Sequence, residues 1–144
     1  MVGIIFSAMA FMVTLAKMEI TYSFFENFNA ADVSIKAGWI PKWIPASSYN
    51  IEESHDIDSN VSWIKFTYYN FGESELSQCV LGSVSDMKIP ERRYIRRFPR
   101  FVTEMVDLMK SMDQLEFYIC DNGNSYLVIY REENTAFSWN LGDR

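Results

Sequence analysis

Glu52, Glu53, His55, Asp56, Asp58 and Asn60 form the densest grouping of acid, base and ligand atoms in this 144-residue chain. His55 is the only histidine, so imidazole acid–base chemistry near neutral pH has to pass through it. A nucleophile beside it would be Cys79, Ser47 or Ser48, and spacing does not choose among them. Asp56, Asp58 and Asn60 open in the D-x-D-x-N manner of a calcium loop. The sixth position is Val61 rather than glycine, and the twelfth is Thr67 rather than glutamate, which excludes an EF-hand. An irregular metal site built from Glu53, His55, Asp56, Asp58 and Asn60 stays open. The plainer reading, adopted here, is a solvated turn in which Asp and Asn bond nearby amides. No nucleophile elbow, glycine-rich phosphate loop or metal-binding helix motif occurs, and no cofactor is called for.

Arg92, Arg93, Arg96, Arg97 and Arg100 make a second grouping, with Tyr94 and Phe98 between them. Guanidinium forks grip phosphates and carboxylates through paired N–H donors. With Lys88, the stretch 88–100 holds six cations against one acid, Glu91, a net of +5. The whole chain is −6, so the remainder is −11. The implied partners are an anionic membrane surface or a protein. The alternative is that these arginines pair with the chain's own acids. The acidic balance excludes nucleic-acid binding by the surface as a whole.

These residues need elements to position them. Eleven Phe, eight Tyr and four Trp supply enough apolar area for one packed domain. Ala30 to Ala37 fits a short helix, with Asn29 as N-cap and Gly38 beyond its end. Trp39-Ile40-Pro41-Lys42-Trp43-Ile44-Pro45 follows as a rigid connector, because two prolines forbid a regular helix. Its tryptophans fit either core packing, the reading preferred, or an interfacial belt. Residues 61–69 read as a strand with Ile64, Phe66 and Tyr68 on one face, and 76–84 as a return strand. Val102, Met105, Val106 and Met109 fit the i, i+3, i+4, i+7 pattern of an amphipathic helix behind Pro99. Asn122-Gly123 predicts a type I′ hairpin that sets Ile119 opposite Tyr126, Phe117 opposite Val128 and Leu115 opposite Tyr130. One face of that hairpin is apolar, as in a sheet buried on one side. A third strand follows at 135–139. The expected class is α+β: an antiparallel sheet ending in a C-terminal meander, packed by an amphipathic helix and preceded by an apolar helix. The expected organisation is an apolar segment at 1–17, a helical and Pro-rich connector at 18–45, and one α+β domain at 46–144.

Residues 1–16 carry no charged side chain. They fit a signal-peptide core with Thr14-Leu15-Ala16 as cleavage site, an uncleaved anchor with Lys17 at the interface, or a buried helix of a cytosolic domain; a helix could run on through Met18, Ile20, Tyr22, Phe24 and Phe25, where Lys17 and Glu19 interrupt it. Cys79 and Cys120 could bridge in an oxidising compartment, closing a loop of about 42 residues worth roughly 4 kcal/mol. Without a Cys-x-x-Cys pair, two free or buried thiols is the reading adopted.

The run Gly38-Trp39-Ile40-Pro41, with Ile44-Pro45, Ser47, Ile51, Glu53, His55-Asp56-Ile57-Asp58, Asn60 and Trp63, resembles a pattern in small uncharacterised bacterial membrane-anchored or exported proteins. The strand at 135–139 resembles their ends too. The resemblance implies a cell-envelope location and transfers no activity. Three functions follow as expectations. The first is a non-enzymatic, envelope-associated binding domain. The second is a soluble acidic inhibitor or immunity-type protein, cytoplasmic in that case, that neutralises a basic partner. The third is a hydrolase or metal-dependent enzyme around His55.

Overall fold

The computed structural model describes residues 20–111 and 113–142. Seven strands there form one antiparallel sheet: β1 Ile20–Asn27, β2 Ser48–Asp56, β3 Val61–Tyr68, β4 Cys79–Gly82, β5 Glu116–Cys120, β6 Ser125–Tyr130 and β7 Thr135–Leu141. Their order across the sheet is β1-β2-β3-β7-β6-β5-β4. The α-helices among the described residues are α1 Asp32–Lys36, α2 Arg92–Ile95 and α3 Arg100–Ser111. The class is α+β with an antiparallel sheet. The apolar segment 1–17 lies outside the described residues. Among the described residues no helix is long and apolar enough to cross a membrane.

The hairpin expected at Asn122-Gly123 is present. Asn122 and Gly123 take φ of 57° and 92°, and Asn124 N–H donates to the Asp121 carbonyl at 3.2 Å. That is a type I′ turn, whose twist matches the strands it joins. Ile119 lies opposite Tyr126, and Phe117 opposite Val128. β7 then pairs with β6 on one side and β3 on the other, which places it mid-sheet.

The sheet is covered on both faces, not one. Every residue of β6 is buried. On the first face Val61, Trp63, Tyr126, Val128, Phe137 and Trp139 pack against Phe101, Val102, Met105, Val106 and Met109 of α3. On the second, Ile51, Ile64, Phe66, Leu127, Ile129 and Ala136 pack against Ile35 of α1 and Ile40, Trp43 and Ile44 of the connector. The proline-bound connector therefore acts as a layer, filling the place a second long helix would take.

Four other expectations are corrected. Residues 20–27 are not helical: they form edge strand β1, paired along β2 from Ile20–Asp56 to Asn27–Tyr49. The helix at 30–37 is a 3₁₀ turn leading into α1, and the side chain that accepts from its first amides is Asn27, not Asn29 (Ala30 N–H to Asn27 Oδ1, 3.0 Å). The strand at 76–84 shrinks to β4, which lies beside β5 at the far edge and does not return along β3. Cys79 and Cys120 are joined in a disulfide rather than free. They stand opposite each other in the β4–β5 ladder, so the register itself brings the sulfurs together.

Candidate functional site

The polar grouping at 52–60 is divided by strand geometry. β2 continues to Asp56, and alternation sends successive side chains to opposite faces. Glu53 and His55 share one face. The Glu53 side chain is fully buried, and His55 Nδ1 and Glu53 Oε1 share a hydrogen bond at 2.6 Å. Trp39 stacks flat on the imidazole, ring centroids 3.6 Å apart and planes within 7°. Thr21 Oγ1 lies 2.9 Å from His55 Nδ1 and 3.0 Å from Nε2. One oxygen so nearly equidistant from both ring nitrogens sits over the ring and along neither lone pair. The imidazole is thus sandwiched between Trp39 and Thr21.

Asp56 serves the other face. Tyr94 Oη of α2 donates to Asp56 Oδ2 at 2.9 Å, and Asp58 N–H donates to Asp56 Oδ1 at 3.1 Å. Ser59 Oγ is 2.8 Å from the same phenol oxygen. Burial, and the Asp56 carboxylate with it, raises the Tyr94 pKa. Asp58 and Asn60 are exposed in the β2–β3 turn. The expected solvated turn is therefore only its last part, 57–60. Glu53, His55, Asp56, Asp58 and Asn60 do not converge on one point, and no group of three or more metal-ligating side chains occurs among the described residues.

The nucleophiles considered for His55 lie elsewhere. Cys79 is in the disulfide, and Ser47 Oγ donates to the Asn70 carbonyl. Trp39 and Thr21 were missed as partners of His55. Neither has a signal in sequence, since their contact needs β1 paired to β2 and the connector folded over both.

Glu53 is an expensive residue to bury. Its Oε2 has no hydrogen-bond partner among the described residues, and burial raises its pKa above the ordinary carboxyl range, opposed by the bond from His55. A carboxyl whose pKa is raised in the fold contributes stability that is complete below its unfolded value of about 4.3. That contribution is lost as pH rises through the folded value. Glu53→Gln, which never ionises, is therefore expected to gain on the wild type as pH rises through the folded value, by about 1–3 kcal/mol at neutral pH. Urea denaturation at a series of pH values measures this. Parallel stability curves for the two proteins would show that Glu53 carries no such cost.

The five arginines sit on α2, α3 and the turn between them. Arg92, Arg93, Arg96, Arg97 and Arg100 are all exposed, while Ile95, Phe98 and Phe101 in the same stretch are buried. The apolar residues anchor the backbone and the guanidiniums face outward. Arg100 pairs with Glu104 one helical turn on, at 2.8 Å, and Arg97 lies over the Tyr94 ring at 5.7 Å. Arg92, Arg93 and Arg96 make no ion pair among the described residues. Pairing with the chain's own acids, the alternative raised by composition, holds for Arg100 and not for these three.

Beside α2 opens a cleft of about 520 Å³, walled by Val61, Met87, Ile89, Pro90 and Leu141. Ser59, Tyr94 and Lys88 complete its lining. A second cleft of about 510 Å³ lies against Trp39, and of its polar side chains Asp121, Ser125 and Asn140 are spent on bonds within the chain. Neither cleft could be read from the sequence, because each joins segments far apart in the chain.

Residues 19–67 are similar to the YbbD head domain family. That covers β1, α1, the connector, β2 and nearly all of β3, about a third of the chain. It includes Trp39, Glu53 and His55, and leaves the arginine segment outside. No curated protein and no solved structure matches the chain.

Proposed function

We propose that this protein is a non-enzymatic binding domain of the cell envelope that docks on an anionic partner through its α2–α3 arginine segment. The observation that carries the reading is the outward presentation of Arg92, Arg93 and Arg96 from a backbone pinned by Ile95, Phe98 and Phe101. A fixed backbone lowers the ordering cost of binding, and three cations without acidic partners among the described residues are ready to meet carboxylate or phosphate. The Cys79–Cys120 disulfide supports an oxidising compartment, where such bonds persist. A binding role fits an imidazole held between Trp39 and Thr21, with the thiol expected as its nucleophile, Cys79, spent in the disulfide.

Chromatography on phosphocellulose at pH 7 tests this directly. A protein of net charge −6 has no reason to bind a polyanion unless its cations are clustered. The wild type is expected to be retained at low salt and released as salt is raised, and a variant with Arg92, Arg93 and Arg96 changed to Gln to flow through. Equal behaviour of the two proteins would remove the arginine segment from consideration.

A further inference from the structure

We propose that the partner of the arginine segment is an anionic lipid, with hydrocarbon seated in the Val61–Met87–Ile89–Leu141 cleft and the head group held by Lys88, Arg92 and Arg93. This rests on the arginine-docking reading and names its ligand.

Two observations meet here. The first is the cleft itself. At about 520 Å³ it falls in the range of small-molecule sites, and its walls are apolar, with Val61, Met87, Ile89, Pro90 and Leu141 supplying most of them. The one phenol in the lining has its oxygen occupied: Tyr94 Oη is engaged by Asp56 and Ser59, so its ring carbons are what remain to touch a ligand. Asp56 is likewise held by Tyr94 and the Asp58 amide. A hydrocarbon entering the cleft would strand no polar partner. The back wall is fixed before any ligand arrives, because the Trp139 indole N–H donates to the Lys88 carbonyl at 2.9 Å.

The second observation is charge in and next to the lining segment. Lys88 is both part of the lining and exposed, and Pro90 is followed within three residues by Arg92 and Arg93, both exposed. The exposed acid Glu91 lies between them. Apolar walls and a cationic rim make a site for an amphiphile with a negative end. A fully solvated acidic protein surface would satisfy the arginines and leave the cleft unfilled. An uncharged apolar ligand would do the reverse. A basic segment also gains from the negative surface of an anionic bilayer, which concentrates it at the head groups.

The test uses the full chain and vesicles of phosphatidylglycerol with phosphatidylcholine, against phosphatidylcholine alone, the acyl chains carrying bromine. Bromine quenches indole fluorescence only at close range, and Trp63 and Trp139 pack in the same core as Val61 and Met87, behind the cleft. The wild type is expected to bind the anionic vesicles and lose fluorescence on them, and to ignore the neutral ones. Ile89→Asp puts a charge against the hydrocarbon, and is expected to weaken binding about tenfold and abolish the quenching. Ile89→Phe, which narrows the cleft without adding charge or an indole, is expected to do the same. Thermal unfolding of both variants checks that the fold is intact, and quenching of the wild type alone stands even if neither variant folds. Arginine-dependent vesicle binding without quenching, unmoved by either Ile89 change, would overturn the cleft and leave the arginine reading in place. Retention on phosphocellulose with no vesicle binding would overturn the lipid and leave that reading too. Loss of both would end both.

Discussion

Replacing Cys79 and Cys120 together by Ala is expected to cost about 4 kcal/mol, roughly 10 °C in Tm for a chain of this size. The cysteines are 41 positions apart, so the bond removes the entropy of a long loop from the unfolded chain. The disulfide also does local work. β4 has four residues and lies at the sheet edge, with β5 its one strand neighbour among the described residues. Val80 and Leu81 on it are 71% and 70% exposed, so burial does little to hold it. Four ladder residues with little buried side chain make a weak edge. The cross-link turns that edge into a fixed one. Alanine is preferred to serine because Cys120 is fully buried and a hydroxyl there would lack a partner. Urea denaturation with and without reductant gives the global figure. Amide exchange at Val80 and Leu81 gives the local one, and should speed up more than exchange in β6. An unchanged midpoint in reductant would mean the bond adds nothing to stability.

The legible parts of this fold are those whose signals are local. A type I′ turn needs two adjacent residues that tolerate positive φ, and Asn122-Gly123 supplies them within one dipeptide. The register of β5 on β6 follows from that turn alone. The helix over Arg100–Ser111 is legible because its apolar face repeats every turn. β2 was hidden for the opposite reason. Its residues include Glu52, Glu53, His55 and Asp56, types depleted in strands, so local preference points to a turn. Tertiary context overrides that preference: β1 and β3 flank β2, and Trp39 covers His55. β1 was hidden by the uncharged run before it, which invites a helical reading. The disulfide was hidden because no local spacing shows that β4 leaves its sequence neighbour β3 for the far edge. The candidate site divides in the same way. Clustering of the arginines is a sequence property, whereas the cleft beside them depends on residues 59, 61, 87–90, 94 and 141 coming together.

Trp63→Ala is expected to cost about 3–5 kcal/mol, while Trp63→Phe should cost much less than its loss of volume suggests. Trp63 is fully buried on β3, stacked on Trp139 at 5.8 Å and edge-on to Phe98 at 5.9 Å. Alanine removes both ring contacts and leaves a cavity where the sheet meets the segment that carries the arginines. That junction cannot collapse easily, because Phe98 is held by the helices and Trp139 by its bond to the Lys88 carbonyl. Phenylalanine keeps a ring in the stack and removes a liability: the Trp63 indole N–H is buried with no acceptor among the described residues. An unpaired buried donor costs about 1–3 kcal/mol, so deleting it offsets much of the lost apolar area. Chemical denaturation of the two variants separates the effects. Equal losses for Ala and Phe would mean that the donor finds a partner in solution, and that the indole is kept for that bond rather than for its bulk. The same cavity bears on binding. Phe98 sits between Arg97 and Arg100, so Trp63→Ala should loosen the arginine segment and weaken phosphocellulose retention without touching a single cation. Retention equal to that of the wild type would show that the arginines do not need a rigid backbone to bind.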